Sequence, residues 1–181
     1  DKSTLHNYHL IYTAILSRLG KIEGLLEFGI GTNNTSIANN MGANGSPGAS
    51  LRAFHEFLPN ASIIGADIDK AILFNEEGIQ CFYVDQTDMT SFEMLDNQIA
   101  SPLTLIIDDG LHLPNANLAT LIFSLEKMKS QENGWFVVED IRGESLPIWH
   151  LIAHILSKTY KCYIIRTKTA YVFAVEIVNS N

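Results

Sequence analysis

Five times between Gly24 and Asp140 a short apolar run closes on a carboxylate. The runs are LLEFG, SIIGAD, IQCFYVD, LTLIIDD and GWFVVED, and their acids are Glu27, Asp67, Asp85, Asp108–Asp109 and Glu139–Asp140. Unbroken apolar runs of this length, rich in β-branched and aromatic residues, read as strands buried on both faces. Helical patterns lie between most of them, and that alternation builds a mostly parallel sheet covered on both sides. Two further runs, YKCYIIRT and AYVFAVEIV, are too close for a crossover helix and read as an antiparallel pair. The expected fold is α/β: a doubly wound, Rossmann-like, mostly parallel seven-stranded sheet with an antiparallel edge hairpin.

At 181 residues the chain reads as a single domain over 1–181, with residues 1–20 forming an N-terminal helix ahead of the core. That helix, YHLIYTAILSRL, has apolar residues at helical spacing and a stop at Gly20. The segment TNNTSIANNMGANGSPGAS reads as a long loop, and compact domains seldom keep such loops without a use. Ser50 is expected to cap the helix LRAFHEFL, KAILFNEEG to form a short helix ending at Gly78, and Thr90 with Glu93 to make a capping box. Pro114 and Pro147 suit the first turns of the two later helices. There are no internal repeats, low-complexity segments or domain linkers.

The formal net charge is −8, with no block of Lys or Arg, which argues against nucleic acid as a partner. A small molecule or a neutral acceptor fits better. Cys81 and Cys162 have no metal-ligand spacing and sit in apolar runs, so they read as reduced core residues and favour a cytoplasmic setting. No apolar run approaches the ~18 residues of a membrane span. The first residues, DKSTLHNYHL, lack a basic-then-apolar signal pattern, and the numbering starts without Met.

Doubly wound sheets bind ligands beyond the carboxyl ends of their strands, where the strand order reverses. The five acids would gather at that edge, and so much negative charge in one crevice calls for cations or donors to balance it. The first strand also runs into Gly29-Ile30-Gly31, a turn that lets a ligand lie against the backbone. A dinucleotide fingerprint would place a third glycine where Asn34 stands. Glu27, just before the turn, would repel a pyrophosphate but accept hydrogen bonds from an ammonium group. Asp67 is placed for ribose hydroxyls, and Asp85 for an adenine amino group.

The strings LLEFGIGT, IIGADID, FYVDQTD, LIIDDGLH and GWFVVEDI, in that order, resemble the motifs of class I S-adenosylmethionine-dependent methyltransferases. More narrowly, MGANGSPGASLRAFHEFLPNA followed by DDGLH and VVEDI resembles metal-dependent sugar O-methyltransferases, among them macrolide-sugar enzymes of the mycinamicin and macrocin type. The resemblance runs from Gly24 to Val178. It implies that Glu27, Gly29 and Gly31 hold the methionine part of S-adenosylmethionine, Asp67 its ribose, and Asp85 with Gln86 its adenine. It places the Gly-rich loop over the cofactor, with Ser50 and Arg52 near its first helix. It further implies Mg²⁺ on Asp109, Glu139 and Asp140, with His112 as general base. The family's additional N-terminal region, which helps assemble its oligomer and active site, has little counterpart here beyond one helix. A homo-oligomer would be one way to complete the site.

The chemistry is consistent with those roles. Carboxylate oxygens are hard ligands suited to Mg²⁺. A cation on an acceptor hydroxyl makes deprotonation feasible near neutrality, and a nearby His can take the proton. Asp108 is ambiguous, open to facing inward toward structure or toward the cofactor, and is not assigned to the metal. His150 and His154 share a helix face without a third ligand and read as surface or packing residues, as do Trp135 and Trp149. His6, Tyr8 and His9 precede the core, and an oligomer would be one way to bring them to the site. The reading is thus an S-adenosylmethionine-dependent O-methyltransferase acting on a sugar hydroxyl of a glycan or glycosylated natural product. The alternatives are a nicotinamide-dependent oxidoreductase and a non-catalytic S-adenosylmethionine-binding module.

Overall fold

The computed structural model describes residues 6–178. Its strands are β1 (Gly24–Phe28), β2 (Ser62–Asp67), β3 (Asn75–Glu76), β4 (Ile79–Tyr83), β5 (Leu105–Asp108), β6 (Asn133–Ile141), β7 (Lys161–Arg166) and β8 (Tyr171–Val178). They form one sheet in the order β3-β4-β2-β1-β5-β6-β8-β7. The pairs among β4, β2, β1, β5 and β6 are parallel, while β8 pairs antiparallel with both β6 and β7. The doubly wound sheet with its antiparallel edge is the expected one.

The helices are α1 (Tyr8–Leu19), α2 (Ala49–Phe57), α3 (Met89–Gln98), α4 (Pro114–Met128) and α5 (Leu146–Leu156). Alternation along the strands splits the core in two. Leu25, Ile63, Leu105, Ile107, Trp135 and Val137 face α1 and α2, together with Tyr8, Tyr12, Ile15 and Leu51. Leu26, Phe28, Ile64, Ile106, Phe136 and Val138 pack on the other face with Phe92 of α3, Leu121 and Phe123 of α4 and Trp149 of α5. Helix α1 buries Tyr8, Tyr12, Ile15 and Leu19, a single stripe at helical spacing, and stops where Gly20 takes φ 67°.

Four local expectations give way. The stretch KAILFNEEG forms a single 3-10 turn, Lys70–Ile72, and then β3, which pairs antiparallel with β4 and adds an eighth, two-residue strand. Asp69 caps that turn by accepting from Ala71 N–H, and the chain then becomes extended at Leu73. Helix α2 starts after Gly48, so Ser50 lies inside it and does not cap it. Asp88, not Thr90, caps α3, its carboxylate accepting from the Thr90 N–H at 2.9 Å. Strand β6 does not end at its double acid but continues to Ile141.

Trp135 and Trp149 are core residues, 5% and 1% exposed, while His150 and His154 lie on the surface. Cys81 is buried, Cys162 half-buried, and both are free thiols. Among the described residues no helix is long and apolar enough to cross a membrane.

Candidate functional site

Strand order reverses between β1 and β5, and the site sits at their carboxyl ends. Strand β1 leads to Ala66 and Asp67 on one side and Asp108 and Asp109 on the other. Gly29 N–H donates to Ala66 O at 2.8 Å, and Asp109 N–H to Phe28 O at 2.9 Å. The glycine turn is held so tightly that a Cβ on Gly29, whose φ is 80°, would stand 2.3 Å from Asp109 O. Only glycine fits there.

Two cavities meet at this turn. One lies between the ends of β1, β2, β4 and β5, with Asp67, Asp85 and Gln86 on its wall. The other lies against α1 and α2 and is walled by His6, Tyr8, Ser50, His112, Glu139 and Asp140. Gly29, Gly31, Asn39 and Asp109 line both. The Asn-rich loop folds over the junction. Gly48 N–H donates to Ile30 O and Met41 N–H to Thr32 O, both at 2.8 Å, and the Asn39 side chain reaches Leu111 O.

The acids divide by face and by partner. Asp67 accepts from Ile30 N–H and Asp69 N–H, each at 2.9 Å; burial pushes its pKa up and these two donors pull it back. Asp85 accepts from the Thr87 N–H and hydroxyl at 2.8 and 2.6 Å, an Asx turn at the cavity wall. Asp108 is fully buried and lines neither cavity, which places it with the structure rather than the cofactor. It accepts from Gln86, Asn117 and Gly110, and its burial raises its pKa. Gln86 borders the first cavity with its amide committed to Asp108, Thr120 and the Leu111 N–H. Glu27 is 0% exposed, lines neither cavity, and accepts from the Ser50 hydroxyl. Arg52 turns outward to Glu76 at 2.6 Å and stacks over Phe74.

Asp109, His112 and Asp140 converge: one ligand atom from each lies within 4.8 Å of the others. His112 Nε2 is 3.9 Å from both Asp109 Oδ1 and Asp140 Oδ2. Its Nδ1 is buried and meets no hydrogen-bond partner among the described residues. Glu139, 1% exposed, stands beside this group and accepts from the Tyr12 hydroxyl. His112 and Asp140 both have φ 53°, a conformation uncommon outside glycine, though less so for His and Asp than for most, and one that clusters at functional sites. At Asp140 the cause is visible: the β6–β8 register shifts between Val138 and Ile141. A regular strand would turn Glu139 and Asp140 to opposite faces; the irregularity lets both reach α1.

Helix α1 and the residues leading into it, in the same chain, therefore bring Tyr8 and His6 to the site. Tyr8 donates to Asp140 Oδ1 at 2.5 Å, and burial followed by the neighbouring acids pushes the phenol's pKa up. The motifs did not reveal these residues. The available signal was a pair of tyrosines four apart on an otherwise apolar helix face, since buried phenols need hydrogen-bond partners.

The sequence matches no protein-family model and no curated protein. Among solved structures it is similar to the MycE methyltransferase of the mycinamycin pathway, in complex with Mg, SAH and mycinamycin VI, with a TM-score of 0.73 and 20% identity. That match covers 97% of this chain and 50% of MycE, so the chain spans about half of MycE's length. It is also similar to human methyltransferase-like protein 13 with SAH, at TM-score 0.60 and 19% identity over 96% of this chain and 82% of that one. CmcI with Mg and SAM matches at TM-score 0.54 and 19% identity, over 92% of this chain and 70% of CmcI. The chain has the fold of these S-adenosylmethionine-dependent methyltransferases.

Proposed function

We propose that this chain is an S-adenosylmethionine-dependent O-methyltransferase, assisted by Mg²⁺, acting on a sugar hydroxyl of a glycan or glycosylated natural product. The observation that carries the proposal is the Asp109–His112–Asp140 group in the second cavity, joined to the first through Asp109, which lines both. Methyl transfer needs a donor site and a hydroxyl-activating site side by side, so that holding two reactants together supplies much of the rate.

The residues fit both groups. Around the first cavity, the glycine turn admits a ligand against the backbone, with Asp67 placed for ribose and Asp85 for adenine. Gln86 acts as a strut beneath them. Glu27, buried beneath the turn, accepts from Ser50 on the second cavity's wall, and the pair supports the methionine end of the cofactor. In the second cavity Asp109 and Asp140 offer hard oxygens, with Glu139 adjacent, and His112 keeps a buried nitrogen for which the described residues provide no partner. When bound, S-adenosylmethionine supplies the methyl group and Mg²⁺ lowers the pKa of the acceptor hydroxyl. Asp109, Asp140 and Glu139 hold the cation, His112 takes the hydroxyl proton, and the Asn-rich loop shields the junction from water.

The Mg and SAH bound to MycE, and the Mg and SAM bound to CmcI, support this reading over a nicotinamide oxidoreductase. Incubation with S-adenosylmethionine, Mg²⁺ and a panel of glycosides, read by mass spectrometry, tests it. A methylated glycoside whose formation stops in chelator is expected. Methylation that persists in chelator would remove the cation from the proposal, and its absence from every hydroxyl acceptor would remove the O-methyltransferase.

A further inference from the structure

Helix α1 lies outside the motifs from Gly24 onward, yet it touches the centre of the site. Tyr8 and Tyr12 occupy successive turns of its buried face, and their hydroxyls reach Asp140 and Glu139, neighbours on β6. Tyr8 meets Asp140 twice. Its O–H donates to Oδ1 at 2.5 Å, and the Asp140 N–H donates back to the phenol oxygen at 3.3 Å. One phenol thus holds both the carboxylate and the backbone of a residue in the left-handed region.

The two oxygens of Asp140 are thereby divided. Oδ1 faces Tyr8 and, at 3.6 Å, His6 Nδ1; Oδ2 lies 3.9 Å from His112 Nε2. The Tyr8 ring is 1% exposed and His6 stacks on it at 5.0 Å. A rigid phenol is a good anchor, because its donor cannot follow a carboxylate that rotates.

We infer that Tyr8 is a positioning residue that turns Asp140 Oδ2 into the Asp109–His112 group, with Tyr12 holding Glu139 from the next turn. The inference rests on the reading, made above, that this group takes a divalent cation. Partners that orient a metal's carboxylate ligands typically change its affinity by about 10- to 100-fold.

Mn²⁺ binding, read from the paramagnetic resonance signal of the free ion, tests this on the wild type, Tyr8→Phe, Tyr12→Phe and Tyr163→Phe. Tyr163 donates to Glu176 at 2.6 Å outside both cavities, so its variant controls for losing a phenol–carboxylate bond as such. Tyr8→Phe and Tyr12→Phe are expected to weaken Mn²⁺ binding about tenfold or more. Their S-adenosylhomocysteine affinity and melting midpoint should match the Tyr163→Phe control. Wild-type Mn²⁺ affinity in Tyr8→Phe would overturn the inference and leave the cation reading standing; if that variant does not fold, Tyr12→Phe decides in the same way. A wild type that binds no Mn²⁺ would overturn the cation reading and this inference with it.

Discussion

Gly29 and Asp109 are so close that a Cβ on the glycine would stand 2.3 Å from the aspartate's carbonyl oxygen. This contact, at the point where strand order reverses, fixes the wall common to the two cavities. Gly29→Ala would combine a strained positive φ with a backbone collision, for a loss of about 3 kcal/mol or more in chemical denaturation. S-adenosylhomocysteine binding should be lost in whatever fraction folds. Near-wild-type stability in this variant would contradict the tight turn.

Asp109 contributes its backbone to that wall and its carboxylate to the acidic group. Asp109→Ala keeps the first and deletes the second. Divalent-cation affinity should fall by about 100-fold while S-adenosylhomocysteine affinity holds, both measured by calorimetry. Equal losses of the two ligands would mean that Asp109 serves the fold rather than the cation.

At His112, φ 53° narrows the choice of variant, because Asn tolerates this region better than Ala. His112→Asn should lower the methylation rate by about 100-fold to 10,000-fold with unchanged cofactor affinity, as removal of a general base does. A rate within a few-fold of wild type across the pH range would end its assignment as the base.

Asp67 has its pKa raised by burial, so the folded state binds its proton more tightly than the unfolded chain does. The stability this gives is complete below the ordinary carboxylate value of about 3.9 and is lost as pH rises through the folded value. Asp67→Asn lacks that titration. The stability difference between wild type and variant should therefore move in the variant's favour as pH rises above about 4, read by denaturant unfolding at each pH. A pH-independent difference would contradict the raised pKa.

What could be read in advance follows from the range of the interactions. Strand β2 is the run SIIGAD as written, because an apolar segment between turn signals needs little context. The segment after Asp69 misled, since its helical spacing lost to an Asp cap and to antiparallel pairing with β4. The acids were legible as a set, but their division was not. Whether Asp108 points into α4 and Asp109 into the cavity depends on strand alternation beyond the last ladder pair. The convergence of Glu139 and Asp140 on α1 depends on a register shift set by β8. The Tyr8–Asp140 bond spans 132 positions, a distance over which local pattern carries no signal. Consecutive acids at the end of a buried strand were nonetheless a clue, because a regular strand cannot turn both to one site.

The central claim is that the glycine turn holds an amino-acid nucleoside rather than a dinucleotide, and one titration tests it directly. Calorimetry of the protein with S-adenosylhomocysteine and with NAD⁺, each with and without Mg²⁺, should show binding of the first at about micromolar concentration and none of the second. Binding of NAD⁺ alone would contradict the account, and with it the roles given to Asp67, Asp85 and the Asp109–His112–Asp140 group.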